Sequence, residues 1–152
     1  LNTYFYFTRT SLDEKISRIS TFLSPESQEI LEQLLSKSDV KIQQAIKSVA
    51  NISDADAAAI LEAMNSSMIS ETTIAKELMK SFLLFAQQRT ELTNDTLSYL
   101  QSLSGSQINL GCISYIAEYA NKMNKKVEIL EIASQWDKNK PGLKNGIEKL
   151  LV

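Results

Sequence analysis

The chain has 152 residues and a formal charge of −2, from 16 basic and 18 acidic side chains, with no histidine. An apolar share of 43% and a charged share of 22% fit one ordinary globular domain able to bury a sizeable core. The missing histidine excludes Ser-His-Asp and Cys-His nucleophile systems, imidazole acid–base catalysis and most zinc sites, and a single cysteine excludes disulfide frameworks and thiolate metal centres.

The chain opens on LNTYFYFTRT, in which Tyr4, Phe5, Tyr6 and Phe7 are consecutive aromatics. Aromatic residues favour extended backbone, yet no second strand-like run is present to pair with them. Residues 1–10 are therefore expected to be an aromatic extended arm. It either packs across the helices or anchors a partner, since buried aromatics are frequent hot spots.

Residues 11–152 are expected to form a single helical domain, whether or not the chain belongs to a larger protein. Ser11-Leu-Asp-Glu14 has capping-box spacing, followed by a stripe of Leu12, Ile16, Ile19, Phe22 and Leu23. Ser24-Pro25-Glu26 starts a second helix with a hydroxyl cap, a proline whose missing N–H costs nothing, and acid at the positive dipole end. Ile30, Leu31, Leu34 and Leu35 are its buried face. A third helix opens at Ser38 or Asp39, with Ile42, Ala45, Ile46, Val49 and Ala50 on one side. Ser53 caps a fourth, carrying Ala57, Ile60, Leu61, Met64 and Met68.

Ser70 is the expected cap of a fifth helix with Ile74, Leu78, Phe82, Leu83 and Phe85. Thr93 or Asn94 caps a sixth, with Leu97, Leu100 and Leu103, and Gly105 is placed as its C-terminal stop. Residues 109–123 follow, with Ile113, Ile116, Ala117, Ala120 and Met123 at helical period and small flanking residues that allow close helix approach. Val127, Ile129, Leu130, Ile132, Ala133 and Trp136 mark an eighth helix, and DKNKPG over 137–142 is a polar linker. A last helix carries Leu143, Ile147, Leu150 and Leu151 around Gly146.

The pattern predicts an all-α fold, a compact bundle of about eight to nine short helices around a central helix near 108–123. The even spacing of Ser11, Ser24, Ser38 and Ser53 leaves a solenoid-like stack of helical pairs as the alternative. Asn109-Leu-Gly111, with Gly105 before it and Trp136 after it, resembles the central-helix signature of the apoptosis-regulator bundles. It departs from that signature at Cys112, where those bundles carry Arg, and in having no Trp before Gly111. No family is assigned from it.

Few residues suggest chemistry. Asp54 and Asp56 stand at i, i+2 in a first helical turn, where they suit a hard cation or, more simply, the helix dipole. Glu118 lies at the edge of an apolar face, the type of place where a general acid is tuned. Cys112 beside Ile113 reads as a small buried apolar residue. Residues 121–152 hold seven lysines against four acidic residues, but without arginine this is a solvated face rather than a phosphate reader. The charge-free run 96–117 is too polar to span a bilayer, and no charged region followed by an apolar run at the start suggests a signal peptide. With no glycine-rich phosphate loop either, no cofactor or metal is expected.

The expected function is a non-enzymatic helical protein–protein interaction module, an adaptor, effector or regulatory domain whose partner is another protein. Tyr4, Phe5, Tyr6 and Phe7 are its candidate anchors. The alternatives are a small-ligand or lipid carrier with a cavity lined by Phe82, Phe85, Ile113 and Met123, and a helical carboxylate-dependent enzyme. The single cysteine fits the reducing cytoplasm, with export that needs no oxidation as the alternative.

Overall fold

A computed structural model describes residues 14–152. The aromatic run Tyr4, Phe5, Tyr6, Phe7 and the Ser11 cap lie outside the described residues. Among the described residues the protein is all-α, with no strand. A helix over 14–21 (α1) is followed by α2 (Pro25–Leu35), α3 (Asp39–Ser48), α4 (Asp54–Ile69) and α5 (Lys76–Gln87). Then come α6 (Thr93–Ser102), α7 (Ile113–Met123), α8 (Lys126–Trp136) and α9 (Leu143–Glu148). Short 3-10 turns at Val49–Asn51, Thr90–Leu92, Gly105–Gln107 and Leu110–Cys112 join them.

Local chemistry sets several of the helix starts. The Ser24 hydroxyl accepts from Ser27 N–H at 3.2 Å with Pro25 as the first helical residue, and Ser53 accepts from Asp56 N–H at 3.1 Å. Asn109 accepts from Gly111 N–H at 2.8 Å, capping the 3-10 turn that leads into α7. At the other end of α7, Asn124 takes the left-handed conformation (φ 56°) that terminates a helix.

Several expectations fail, among them Ala50, which stands exposed in the 3-10 turn after α3, and Leu150 and Leu151, which follow the end of α9. Ser70 does not start α5; it ends α4, its hydroxyl turned back to the Ser67 carbonyl at 2.8 Å, and α5 begins six residues later at Lys76. Ile74 lies in the intervening loop and is fully buried. Gly105 does not stop α6; Leu103 caps that helix, and Gly105 opens a 3-10 turn. Phe22 leaves the stripe of α1 because the helix ends at residue 21, and it is 85% exposed while Leu23 is buried.

The bundle is compact. α7 buries Ile116, Ala117, Tyr119 and Ala120 as expected and packs on α5, α8 and α9, but the helix shared by most neighbours is α5. α5 touches α2, α3 and α4 in one half of the molecule and α6 and α7 in the other. Its Phe82 and Phe85 are fully buried, together with Ile60, Leu61 and Met64 of α4. Because α2 packs on α4 and α5 as well as on α3, the arrangement is a bundle and not a nearest-neighbour stack.

The segment 103–112 locks the two halves. Gln107 donates through Nε2 to the carbonyls of Ile69 (3.2 Å) and Glu71 (2.7 Å), and its own carbonyl accepts from Ile74 N–H at 2.9 Å. Asn109 Nδ2 returns to the Ile74 carbonyl at 2.7 Å. On the far side, Trp136 Nε1 donates to the Leu103 carbonyl at 3.1 Å. The 137–142 segment is more than a linker, since Asp137 accepts from Lys144 N–H at 2.9 Å and so caps α9.

Candidate functional site

The carboxylates suggested by spacing serve the fold. Asp54 pairs with Arg89, whereas Asp56 turns to α2, its Oδ2 accepting from Ser27 Oγ at 2.6 Å and from Ser24 N–H at 3.3 Å. The Ser27 hydroxyl bond, helped by Ser24 and Ser53, holds the Asp56 carboxyl below its ordinary range. The two side chains thus point to different partners rather than to one cation, and no cluster of three metal-ligating residues occurs among the described residues. Arg89 also donates to the Val49 carbonyl (3.1 Å), the Ile52 carbonyl (2.8 Å) and Glu91 (2.6 Å), tying together three segments.

Cys112 is fully buried, faces the Ile74 carbonyl at 3.6 Å, and has its thiol pKa pushed up by burial. Phe82 and Phe85 are core residues, and Ile113 and Met123 are partly buried against the core. Among the described residues, no helix is long and apolar enough to cross a membrane.

Three open clefts stand out among the described residues. One, of about 350 Å³, lies between α1 and α2 and includes Ile16, Ser20 and Gln28. A second, of about 470 Å³, lies between α7 and the C-terminal segment, with Ala117, Glu118, Asn121 and Leu150. The third, of about 590 Å³, lies between α1, α4 and α6, with Lys15, Glu62, Asn65, Ile69 and Tyr99. None of the three is lined by Phe82, Phe85, Ile113 or Met123.

Each cleft contains one carboxamide, and these differ in a telling way. Gln28 Nε2 is spent on the Ser20 (2.9 Å) and Leu23 (3.1 Å) carbonyls. Asn121 is spent at both ends, donating to the Leu150 carbonyl at 3.1 Å and accepting from Val152 N–H at 3.0 Å. Asn65 is only 8% exposed, and its buried Oδ1 has no hydrogen-bond partner. Leaving such a group unpaired costs about 1–3 kcal/mol.

The helix explains how Asn65 comes to be there. α4 buries residues all round, including Ala57, Ile60, Leu61, Ala63, Met64 and Met68, so position 65 is inevitably drawn inward. Ile69, one turn on, is 50% exposed at the cleft wall. Tyr99 forms the facing wall, its hydroxyl pKa raised by burial and by the nearby charges of Asp95 and Glu62. Lys15 and Glu62 give the rim one charge of each sign.

Apolar period alone does not single out Asn65. The available signal was an asparagine, a poor helix former, between Met64 and Met68 on a helix too apolar to spare a polar face. The other buried side-chain atoms without partners, on Ser81, Gln87 and Tyr119, line none of the three clefts.

Chemically the α1/α4/α6 cleft offers a donor, an acceptor and apolar walls. It is suited to recognition. Comparison with protein-family models, with curated proteins and with solved structures finds no match to this chain.

Proposed function

We propose that the chain is a non-enzymatic helical module that binds another protein, and that the α1/α4/α6 cleft is its docking place. The observation that supports this is the combination of a half-exposed Ile69 and an unpaired Asn65 Oδ1 at one open cleft. Protein-binding surfaces combine an apolar anchor position with a few polar groups that fix orientation. A domain that only had to fold would gain by replacing Asn65 with an apolar residue. Tyr4, Phe5, Tyr6 and Phe7, a short way before Lys15 in the chain, stay in this proposal as further partner contacts.

The test is photo-crosslinking. A benzophenone side chain is placed at residue 69, or at the exposed residue 43 of α3 as control, and irradiated in extract from cells that make the protein. The expected result is one discrete protein adduct at 69, absent at 43 and competed away by the unmodified chain. No adduct, or the same adducts at both positions, would count against an interaction module.

A further inference from the structure

Resting on that reading, we propose that the α1/α4/α6 cleft takes a stretch of extended main chain from the partner, with Asn65 reading one peptide unit and an apolar side chain of the partner seated against Ile69 and Tyr99. The first ground is the contrast among the carboxamides. Gln28 Nε2 and both ends of the Asn121 amide have their bonds within the chain, whereas Asn65, nine-tenths buried at a cleft, has an Oδ1 without a partner.

The second ground is complementarity. A carboxamide carries an N–H donor beside a carbonyl acceptor, and a peptide unit carries both groups as well. A partner helix cannot use this pair, because its interior peptide groups are already bonded along its own axis. An extended or irregular segment can.

The third ground is charge. The charged residues lining the cleft are Lys15 and Glu62, one of each sign, with no net positive charge. A phosphodiester would find no field to neutralise it there, which sets nucleic acid aside. The volume of about 590 Å³ lies within the range of ligand-binding clefts, and the half-exposed Ile69 supplies an apolar seat.

The experiment uses the full chain labelled with ¹⁵N and, at Ile methyl groups, ¹³C. The probe is N-acetyl-leucine N′-methylamide, which has two peptide units and one apolar side chain; isobutanol and adenosine monophosphate are the comparison probes. The expected result is that the Asn65 side-chain NH₂ and the Ile69 methyl signals shift saturably with the peptide probe and not with the others. Asn65→Leu should weaken probe binding about fivefold or more, as expected for the loss of one or two hydrogen bonds, while raising Tm. Ile69→Ser, at an exposed position that leaves the fold intact, should weaken it as well.

An Asn65 NH₂ signal that does not move, or Asn65→Leu binding as tightly as the parent, would overturn the proposal. So would an equal response to adenosine monophosphate. Probe binding that emerges only when Tyr4, Phe5, Tyr6 and Phe7 are replaced by Ser would show the chain's own segment in the cleft and overturn its assignment to a partner. Should Asn65→Leu not fold, the NH₂ signal and Ile69→Ser still give the answer. A crosslinked protein at residue 69 with no response to the probe would remove this inference alone, and the absence of both would remove the interaction-module reading too.

Discussion

Gly105 packs directly on the backbone of Trp136: a Cβ at position 105 would stand 2.8 Å from the Trp136 carbonyl carbon and 2.9 Å from its Cα, and nearer still to the carbonyl oxygen. That oxygen is already occupied, accepting from the N–H groups of Asn139 at 3.0 Å and Lys140 at 2.9 Å as α8 ends. The obstacle is backbone, so it cannot rotate away. Gly105→Ala is therefore expected to destabilise by about 3 kcal/mol or more, at the upper end for overpacking. In a chain of this size that lowers Tm by roughly 6–12 °C, read by thermal unfolding. A shift of a degree or less would contradict the contact.

Arg89 acts as a connector, with a side chain only 11% exposed, donors on the Val49 and Ile52 carbonyls, and ion pairs to Asp54 and Glu91. One guanidinium fork reaches all four, and a lysine ammonium cannot. Arg89→Ala should cost about 2–3 kcal/mol, chiefly by leaving the Val49 and Ile52 carbonyls unpaired, and Arg89→Lys should recover less than half of it. Urea unfolding of the two variants beside the parent makes the comparison. Full recovery by lysine would show that charge alone matters.

Asp56 supplies a pH dependence. Its carboxyl is held below the ordinary value of 3.8, first by the Ser27 hydroxyl. A group with a depressed folded pKa stabilises the fold above its unfolded value, and the stabilisation is lost as pH falls through the folded value. The contribution is thus complete near neutrality and disappears below about pH 4. Asp56→Asn, which keeps the shape and the acceptor, should be less stable at pH 7 and should lose less on acidification. Unfolding midpoints from pH 7 down to about 2.5 would show it; parallel curves for parent and variant would rule it out.

Cys112 should be silent in the native protein. Its thiol is fully buried and its pKa is raised by that burial, so thiolate is scarce at neutral pH. Labelling with a thiol reagent should be slow in buffer and rapid in denaturant, tracking global unfolding. Prompt stoichiometric labelling of the folded chain would mean that the contact with Ile74 opens locally.

The legible features were those whose causes lie within a few residues. Ser24 and Ser53 cap the helices they were expected to cap, because a hydroxyl and an N–H two or three positions on meet whatever the rest of the chain does. Ser70 had the same local credentials and failed, because the buried Ile74 and its exchange with Gln107 and Asn109 hold the following residues out of helix. Glycine commonly ends helices, which gives Gly105 the look of a stop, whereas the reason for it lies at Trp136, 31 positions away.

Composition and period alone determined that this chain is all-α, roughly where its helices run, and which side chains are apolar enough to form the core, since those properties depend on neighbours at i+3 and i+4. Only the tertiary structure decided which helix is shared, which caps are used and which amide is left over. Asn65, Gln28 and Asn121 are all carboxamides within helices, and although the apolar run of α4 marks Asn65 as drawn inward, no neighbouring residue shows whether its side chain finds a partner. What separates them is whether a backbone carbonyl or N–H from elsewhere in the fold comes within about 3 Å, the reach of a hydrogen bond. That contact is made for two of them, and the Oδ1 of the third is left without it.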